Sequence, residues 1–292
     1  MISFELITPE LYQLQVPFPG CWTGVTLVRG TQNVLVDSGG SAETVDGCIV
    51  PALEDVGLGP SDIDFLALTH IHGDHVGGCS RLKALAPAIK VAVFAESLDR
   101  IRNPKAYSRQ IRERFSGHGA PVPALLEGVE PDVLLQDGEM LSTLRLVHTP
   151  GHDTDSCSYL DERTRTLITG DSLQLNGTVS QGCALLMDAA RYQYTLRRLQ
   201  DMDIHNILCG HPFLPLGDRA MGPAAVRAYL SACTACDAHD RGFVEGMLAA
   251  GKTNAAFIAR ALIHEIGGRE PEHLFLPLHT VTEYIHKRSR CL

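Results

Sequence analysis

The sequence has no surplus of positive charge, no apolar run of bilayer length, no internal repeat and no low-complexity tract. Each absence excludes something. With 25 Lys+Arg against 34 Asp+Glu, the formal charge is -9 and the pI is near 5.8. There is no basic field to draw in phosphate backbones, so nucleic acid is not an expected partner. No segment approaches the roughly 20 apolar residues of a membrane span, so no membrane partner is expected either. Met1 to Gln15 carries Glu5 and Glu10 and alternates apolar with polar residues. It lacks the basic start and apolar run of a signal peptide. The nine cysteines (21, 48, 79, 157, 183, 209, 233, 236, 291) are odd in number and scattered. They do not cluster as in a small stapled scaffold, and a reducing cytoplasm is the expected location.

What remains is ordinary globular material. Of the 292 residues, 45% are hydrophobic and 20% charged, enough to bury a large core as one domain or one domain plus an appendage. The first half reads as strands meeting helices. Gly24 to Arg29 and Asn33 to Asp37 flank the turn Gly30-Thr31-Gln32 as a hairpin. A helix is expected over Ala42 to Val56. A strand buried on both faces follows at Ile63 to Thr69, and a helix at Ser80 to Leu85. After a strand at Lys90 to Phe94, the stretch Glu96 to Phe115 is rich in Arg, Lys and Gln and reads as an exposed helical insertion. Strands are expected again at Leu144 to His148, Ser156 to Leu160, Thr166 to Thr169 and Asn206 to Cys209, with an amphipathic helix over Asp188 to Leu199. This core pattern ends near Leu216. Helices follow at Ala224 to Ala249, Asn254 to Ile266 and Leu278 to Lys287.

The chemistry concentrates in Thr69-His70-Ile71-His72-Gly73-Asp74-His75, directly after the buried strand. In an extended chain, residues i and i+2 face one side, so His70 and His72 can converge on one ion. Gly73 permits a tight turn that brings Asp74 and His75 round to serve a second ion. Three later segments each deliver one more ligand-type side chain at a strand end meeting a glycine turn. They are Pro150-Gly151-His152, Gly170-Asp171-Ser172 and Gly210-His211-Pro212. Taken singly, each reads as a turn histidine or a helix cap; taken in order, they read as one constellation.

This order and spacing resembles the metallo-β-lactamase superfamily, whose His-x-His-x-Asp-His cluster is followed by a His, an Asp and a His on later loops. The resemblance covers about Leu14 to Leu216. It includes Asn33 to Gly39, where the superfamily carries an aspartate, here Asp37, that supports the metal loops. It implies an α/β fold, a four-layer αββα sandwich, with a helical C-terminal extension. The implied domains are a catalytic unit over 1–217, with the helical insertion at about 96–116, and the extension over 218–292. It further implies two divalent metal ions. His70, His72 and His152 would hold one, Asp74, His75 and His211 the other, and Asp171 would bridge them. Asp74 and Asp171 thereby become the catalytic candidates, with a metal-bridging hydroxide as nucleophile. Zinc suits the ligand mixture, while manganese or iron could take the same places.

Within the superfamily, true β-lactamases commonly place cysteine or serine where Asp171 stands. The aspartate therefore favours ester, thioester or lactone hydrolysis. The long insertion and the helical extension look like the thioesterase branch that includes the quinolone-signal biosynthesis thioesterase. A small-molecule substrate with an acyl group, bound as a thioester, is the expectation. Lactonases of the acyl-homoserine type usually have a tyrosine where this chain has Gln174, which places that reading second. A mononuclear-iron enzyme resembling persulfide dioxygenases and a catalytically silent metal-binding regulator are the remaining alternatives. The extension is expected to cover the edge of the site or to form a homodimer contact, because its apolar stripes need a partner surface. Cys233 and Cys236 read as a helix-face pair. His118, Tyr192 and Tyr194 are weak candidates for substrate contact.

Overall fold

The computed structural model describes residues 2–290, with side chains through residue 286. Met1, Cys291 and Leu292 lie outside the described residues, and with them the outer limits of the two expected domains. The eight cysteines within the described residues are free thiols.

Thirteen strands form two sheets among the described residues. The first sheet runs in sequence order through β1 (Glu5–Thr8), β2 (Leu11–Phe18), β3 (Cys21–Val28), β4 (Val34–Val36), β5 (Phe65–Ala67), β6 (Lys90–Phe94) and β7 (Val133–Leu135). Its first half is an antiparallel meander and its second half, from β4 to β7, is parallel. The second sheet contains β8 (Met140–Leu141), β9 (Leu144–His148), β10 (Cys157–Asp161), β11 (Thr166–Ile168), β12 (Asn206–Phe213) and β13 (Gly217–Met221). Here only β11 and β12 are parallel. The expected hairpin at Gly30-Thr31-Gln32 joins β3 to β4 in register Thr26 to Val36.

Three apolar clusters explain the layering. Leu11, Val36, Phe65 and Phe94 from the first sheet meet Leu146, Tyr159, Ile168 and Leu208 from the second, filling the space between them. Sheets pack this way at about 10 Å, with alternate residues facing inward. The outer face of the first sheet is covered by helices that bury Val45, Ile49, Leu53 and Leu82. The second is covered by Ala189–Gln200, Pro223–Ala249, Ala255–Glu265 and Phe275–Arg290. The four-layer αββα arrangement with a helical C-terminal region follows.

Three expectations need correction. The second sheet does not stop near Leu216. β13 pairs antiparallel with β12, so the sheet ends at Met221 and the boundary expected at 217/218 cuts into its edge strand. Polar residues along Gly217-Asp218-Arg219 hid it, as suits an edge strand. The helix expected over Ala42 to Val56 contains a widened π turn at Val45–Ile49 around Gly47. The insertion is not simply exposed. Its helices Leu98–Arg102 and Pro104–Glu113 bury Ile101, Tyr107, Ser108 and Ile111. A few apolar residues at helical spacing suffice for one buried face, even in a segment of low mean hydropathy.

Candidate metal centre

All seven expected side chains converge at one edge of the sandwich. His70 and His72 leave the carboxyl end of β5, and Gly73–Val76 turns Asp74 and His75 back as a short helix. His152 follows β9, Asp171 follows β11, and His211 lies on β12. Ligand atoms of His70, His72 and His152 lie within 4.8 Å of one another, as do those of Asp74, His75 and His211, and those of His70, His75 and Asp171. The carboxylate of Asp171 reaches both halves. Its Oδ1 is 3.4 Å from His75 Nε2, and its Oδ2 is 3.3 Å from His211 Nε2 and 3.7 Å from His152 Nε2. Asp74 Oδ2 lies 3.0 Å from His211 Nε2. At Gly210 the backbone passes so close that a Cβ there would sit 2.5 Å from Asp171 Oδ1 and 2.8 Å from His75 Cε1. Only glycine fits that approach.

The outward nitrogens fix which atoms face the centre. His152 Nδ1 donates to the carbonyl of Leu185 at 3.0 Å and His211 Nδ1 to that of Trp22 at 2.6 Å. Carbonyls only accept, so the proton sits on Nδ1 in both. His75 Nδ1 donates to Asp37 Oδ2 at 2.8 Å. The Thr69 hydroxyl donates to the same carboxylate and accepts from His70 Nδ1 at 3.0 Å. Asp37 takes φ 65°, the left-handed region, to hold this position at the end of β4. Oriented this way, the buried Nε2 atoms of His70 and His75 and Oδ1 of Asp171 have no hydrogen-bond partner. His72 is turned round, with Nε2 3.2 Å from Asp153 and Nδ1 3.0 Å from His152 Nε2. A cluster of inward lone pairs, each backed by an acceptor on the far nitrogen, is the donor set of a divalent cation.

Charge divides the site into two unlike halves. Burial, then the neighbouring imidazoles, holds His70 well below the ordinary histidine value. Burial and His72 bring His152 down to about 4. On the other side burial also opposes the charged form, but Asp171, Asp37 and Asp74 outweigh it and raise His75 to about 10. His211 is likewise raised, against burial, by Asp171 and Asp74. In the metal-free protein, protons are therefore held at His75 and His211 at neutral pH, while His70 and His152 stay neutral. A raised pKa means tightly held protons, so metal affinity in that half climbs as pH rises towards about 10. On acidification the proton-loaded half should lose its metal first. Uptake there at pH 7 should release about two protons, read by calorimetry in buffers of different ionisation enthalpy. Simultaneous loss of all metal with no proton release would contradict the division.

The sequence reading missed the residues behind His72. Asp153 is buried and accepts from Arg100 at 2.8 Å and from the Tyr107 hydroxyl. Arg100 also bonds Asp155 at 2.5 Å and lies over the Tyr107 ring. Arg100 and Tyr107 come from the insertion, which thus braces a ligand. The available signal was the pair Asp153 and Asp155 beside His152, too acidic to bury without a cation. Gln174 is also inside. Its side chain donates to the carbonyl of Asp171 at 2.8 Å and accepts from Leu185 N at 3.0 Å, linking two of the ligand loops. Tyr192 is buried with its hydroxyl accepting from Gln174 N, and Tyr194 is exposed. Neither tyrosine nor His118 lines the cavity over the centre.

That cavity holds about 290 Å³. Asp74, His72, His152, Asp171 and His211 form its floor. The insertion contributes Ser108, Ile111 and Arg112, and the segment entering the last helix contributes Pro271, Phe275 and Leu276. The C-terminal region therefore does cover the edge of the site.

Comparison with known proteins agrees. An uncharacterized protein, YobT, of Bacillus subtilis (strain 168) is 33% identical over 132 residues, 45% of this chain and 54% of its own length. An atrochrysone carboxyl ACP thioesterase of Cryptosporiopsis sp. (strain 8999) is 25% identical over 219 residues, 71% of this chain and 55% of its own. The chain spans about half the length of the curated relatives it matches. A metallo-beta-lactamase family protein from Thermus thermophilus has a similar structure, with TM-score 0.73 and 24% identity over 97% of this chain and 95% of that one. The class B3 di-zinc metallo-beta-lactamase LRA-12 from an Alaskan soil metagenome has TM-score 0.56 and 19% identity over 82% and 92%. At these identities the structural likeness is one of fold. The profile of the metallo-beta-lactamase superfamily matches residues 23–211, from β3 to the last of the seven converging side chains, and the chain belongs to that superfamily.

Proposed function

We propose that this protein is a dinuclear metal-dependent hydrolase that cleaves an ester-type bond, a thioester above all. The carrying observation is the carboxylate of Asp171, placed between two trios of inward-facing donors. His70, His72 and His152 would hold one divalent ion, and Asp74, His75 and His211 the other, with Asp171 shared. Zinc fits this imidazole and carboxylate set. Two such ions supply Lewis acidity, lowering the pKa of water and polarising the carbonyl under attack.

The chain's own residues supply placement. Asp37, Thr69, Trp22 O and Leu185 O keep the imidazoles aimed, and Asp153 does so for His72. Asp74 and Asp171 concentrate negative charge where cations gather. The walls above, Phe18, Ile71, Ile111, Leu185, Phe275 and Leu276, exclude water and suit an apolar acyl chain. The thioesterase-named relatives support the thioester over other esters.

A panel of acyl thioesters, lactones, aryl esters and phosphodiesters tests this on metal-loaded protein. Thioesters should be turned over with the highest kcat/KM, and Asp74→Ala should lower that value by roughly 10³-fold. Turnover of phosphodiesters alone, or turnover indifferent to Asp74→Ala, would overturn the proposal.

A further inference from the structure

The cavity has one cationic side chain that hydrolysis at the metal centre does not use. Arg112 lines it from the last turn of Pro104–Glu113, one helical turn beyond Ser108. Among the described residues no lysine and no second arginine reaches the cavity. Its Nη1 donates to the Ser108 hydroxyl, while its buried Nε has no partner. Among the described residues no carboxylate forms an ion pair with it. Its guanidinium lies 5.6 Å from the centre of the Phe275 ring, a wall residue.

A half-buried guanidinium against an apolar wall, with one neutral partner, is a costly arrangement, since a partly desolvated charge is stabilised by a counter-charge. Burial lowers its pKa, and only the more distant Asp74 works the other way. The other acidic residue at the rim, Glu272, points to solvent beside His273. The planar fork matches a carboxylate, which accepts two parallel N–H bonds. Arg100, on the preceding helix, has its carboxylates already, in Asp153 and Asp155.

We propose that Arg112 and Ser108 form the seat for a carboxylate carried by the substrate at a distance from the bond that is cut. The preferred substrate is then an acyl thioester with an apolar body and a remote carboxylate. This rests on the thioesterase reading for the bond cleaved, but the seat itself does not depend on turnover.

Metal-loaded wild-type protein, Arg112→Met and Arg112→Lys are compared on three thioesters. These are glutaryl and pentanoyl esters of N-acetylcysteamine, and pentanoyl 3-mercaptopropionate, whose carboxylate lies on the leaving thiol. In wild type, kcat/KM for glutaryl should exceed that for pentanoyl N-acetylcysteamine on the order of 10- to 100-fold, mostly through KM. The ratio should collapse to about one in Arg112→Met and remain partial in Arg112→Lys. A preference only for the mercaptopropionate ester, equally lost in Arg112→Met, would move the carboxylate to the thiol side and keep the seat.

A binding arm separates the two claims. Calorimetry with glutarate monoamide against neutral glutaramide should show a preference of about tenfold or more for the anion, absent in Arg112→Met. Binding discrimination without thioester turnover would sustain the seat and sink the hydrolase reading. Turnover with no discrimination in either arm, or discrimination that survives Arg112→Met, would sink the seat.

Discussion

Replacing Asp171 by alanine should remove metal from both halves of the centre at once. Its Oδ1 faces His75 and its Oδ2 faces His211 and His152, so this one carboxylate reaches both trios. Metal content should fall from about two per chain to below one. kcat/KM should drop by roughly 10³-fold or more, about 4 kcal/mol of transition-state stabilisation. Asp171→Asn, which keeps the volume and halves the ligand capacity, should retain one ion in part. Elemental analysis with steady-state kinetics reads both effects, and the unfolding midpoint shows whether the fold survives. Two ions and activity within tenfold of wild type in Asp171→Ala would rule out the shared carboxylate.

The second large effect is expected at Asp153, which binds no ion in this arrangement. It is 1% exposed and serves His72, Arg100 and Tyr107 together. Asp153→Ala leaves the Tyr107 hydroxyl with only the Met187 sulfur at 3.8 Å and leaves Asp155 as the sole carboxylate beside Arg100. Breaking a buried ionic network by removing one partner costs about 3–5 kcal/mol. A lower denaturant midpoint at unchanged slope would show it. His72 also loses the group that orients it, so affinity for one ion should weaken about 10- to 100-fold. Asp153→Asn separates the two consequences, because it keeps shape and some hydrogen bonding while discarding charge. Metal affinity should still fall in that variant, with a smaller stability loss. An unchanged affinity in both variants would mean that His72 needs no brace.

What could be read from the sequence is local crowding. Four ligand-type side chains fall within His70 to His75 at the end of an apolar run, and their neighbours in the chain supply the turn that makes them converge. His152 and Asp171 follow strands, His211 lies on β12, and all three adjoin a glycine, so their segments carry a similar mark. The parallel strands β4, β5 and β6 were legible for a similar reason, since each lies in a short apolar run, whereas β7, only three residues long, was not expected. The remainder depends on contacts between distant segments. Trp22 and Leu185 act through backbone carbonyls, which any residue could offer. Arg100, Tyr107 and Arg112 sit in a helical stretch whose polar composition looks like a solvated face. The partner that Arg100 and Tyr107 share, Asp153, lies across the fold, and the cavity that Arg112 lines is assembled from distant segments. β13 was hidden because an edge strand tolerates the charged residues that ordinarily mark a loop.

Each donor trio straddles the two sheets. His70, His72, Asp74 and His75 leave the end of β5 in the first sheet, whereas His152, Asp171 and His211 belong to the second. An ion held by either trio is therefore a clip across the sandwich, and the sheets cannot part at that edge without releasing it. Binding to the folded chain alone adds RT ln(1 + [M]/Kd) to its stability, about 4 kcal/mol when free metal stands a thousandfold above Kd. The unfolded fraction would then track metal supply, and a chelator would act as a denaturant. In a cell short of the ion, the amount of this protein that escapes proteolysis should fall before its catalytic chemistry is ever tested.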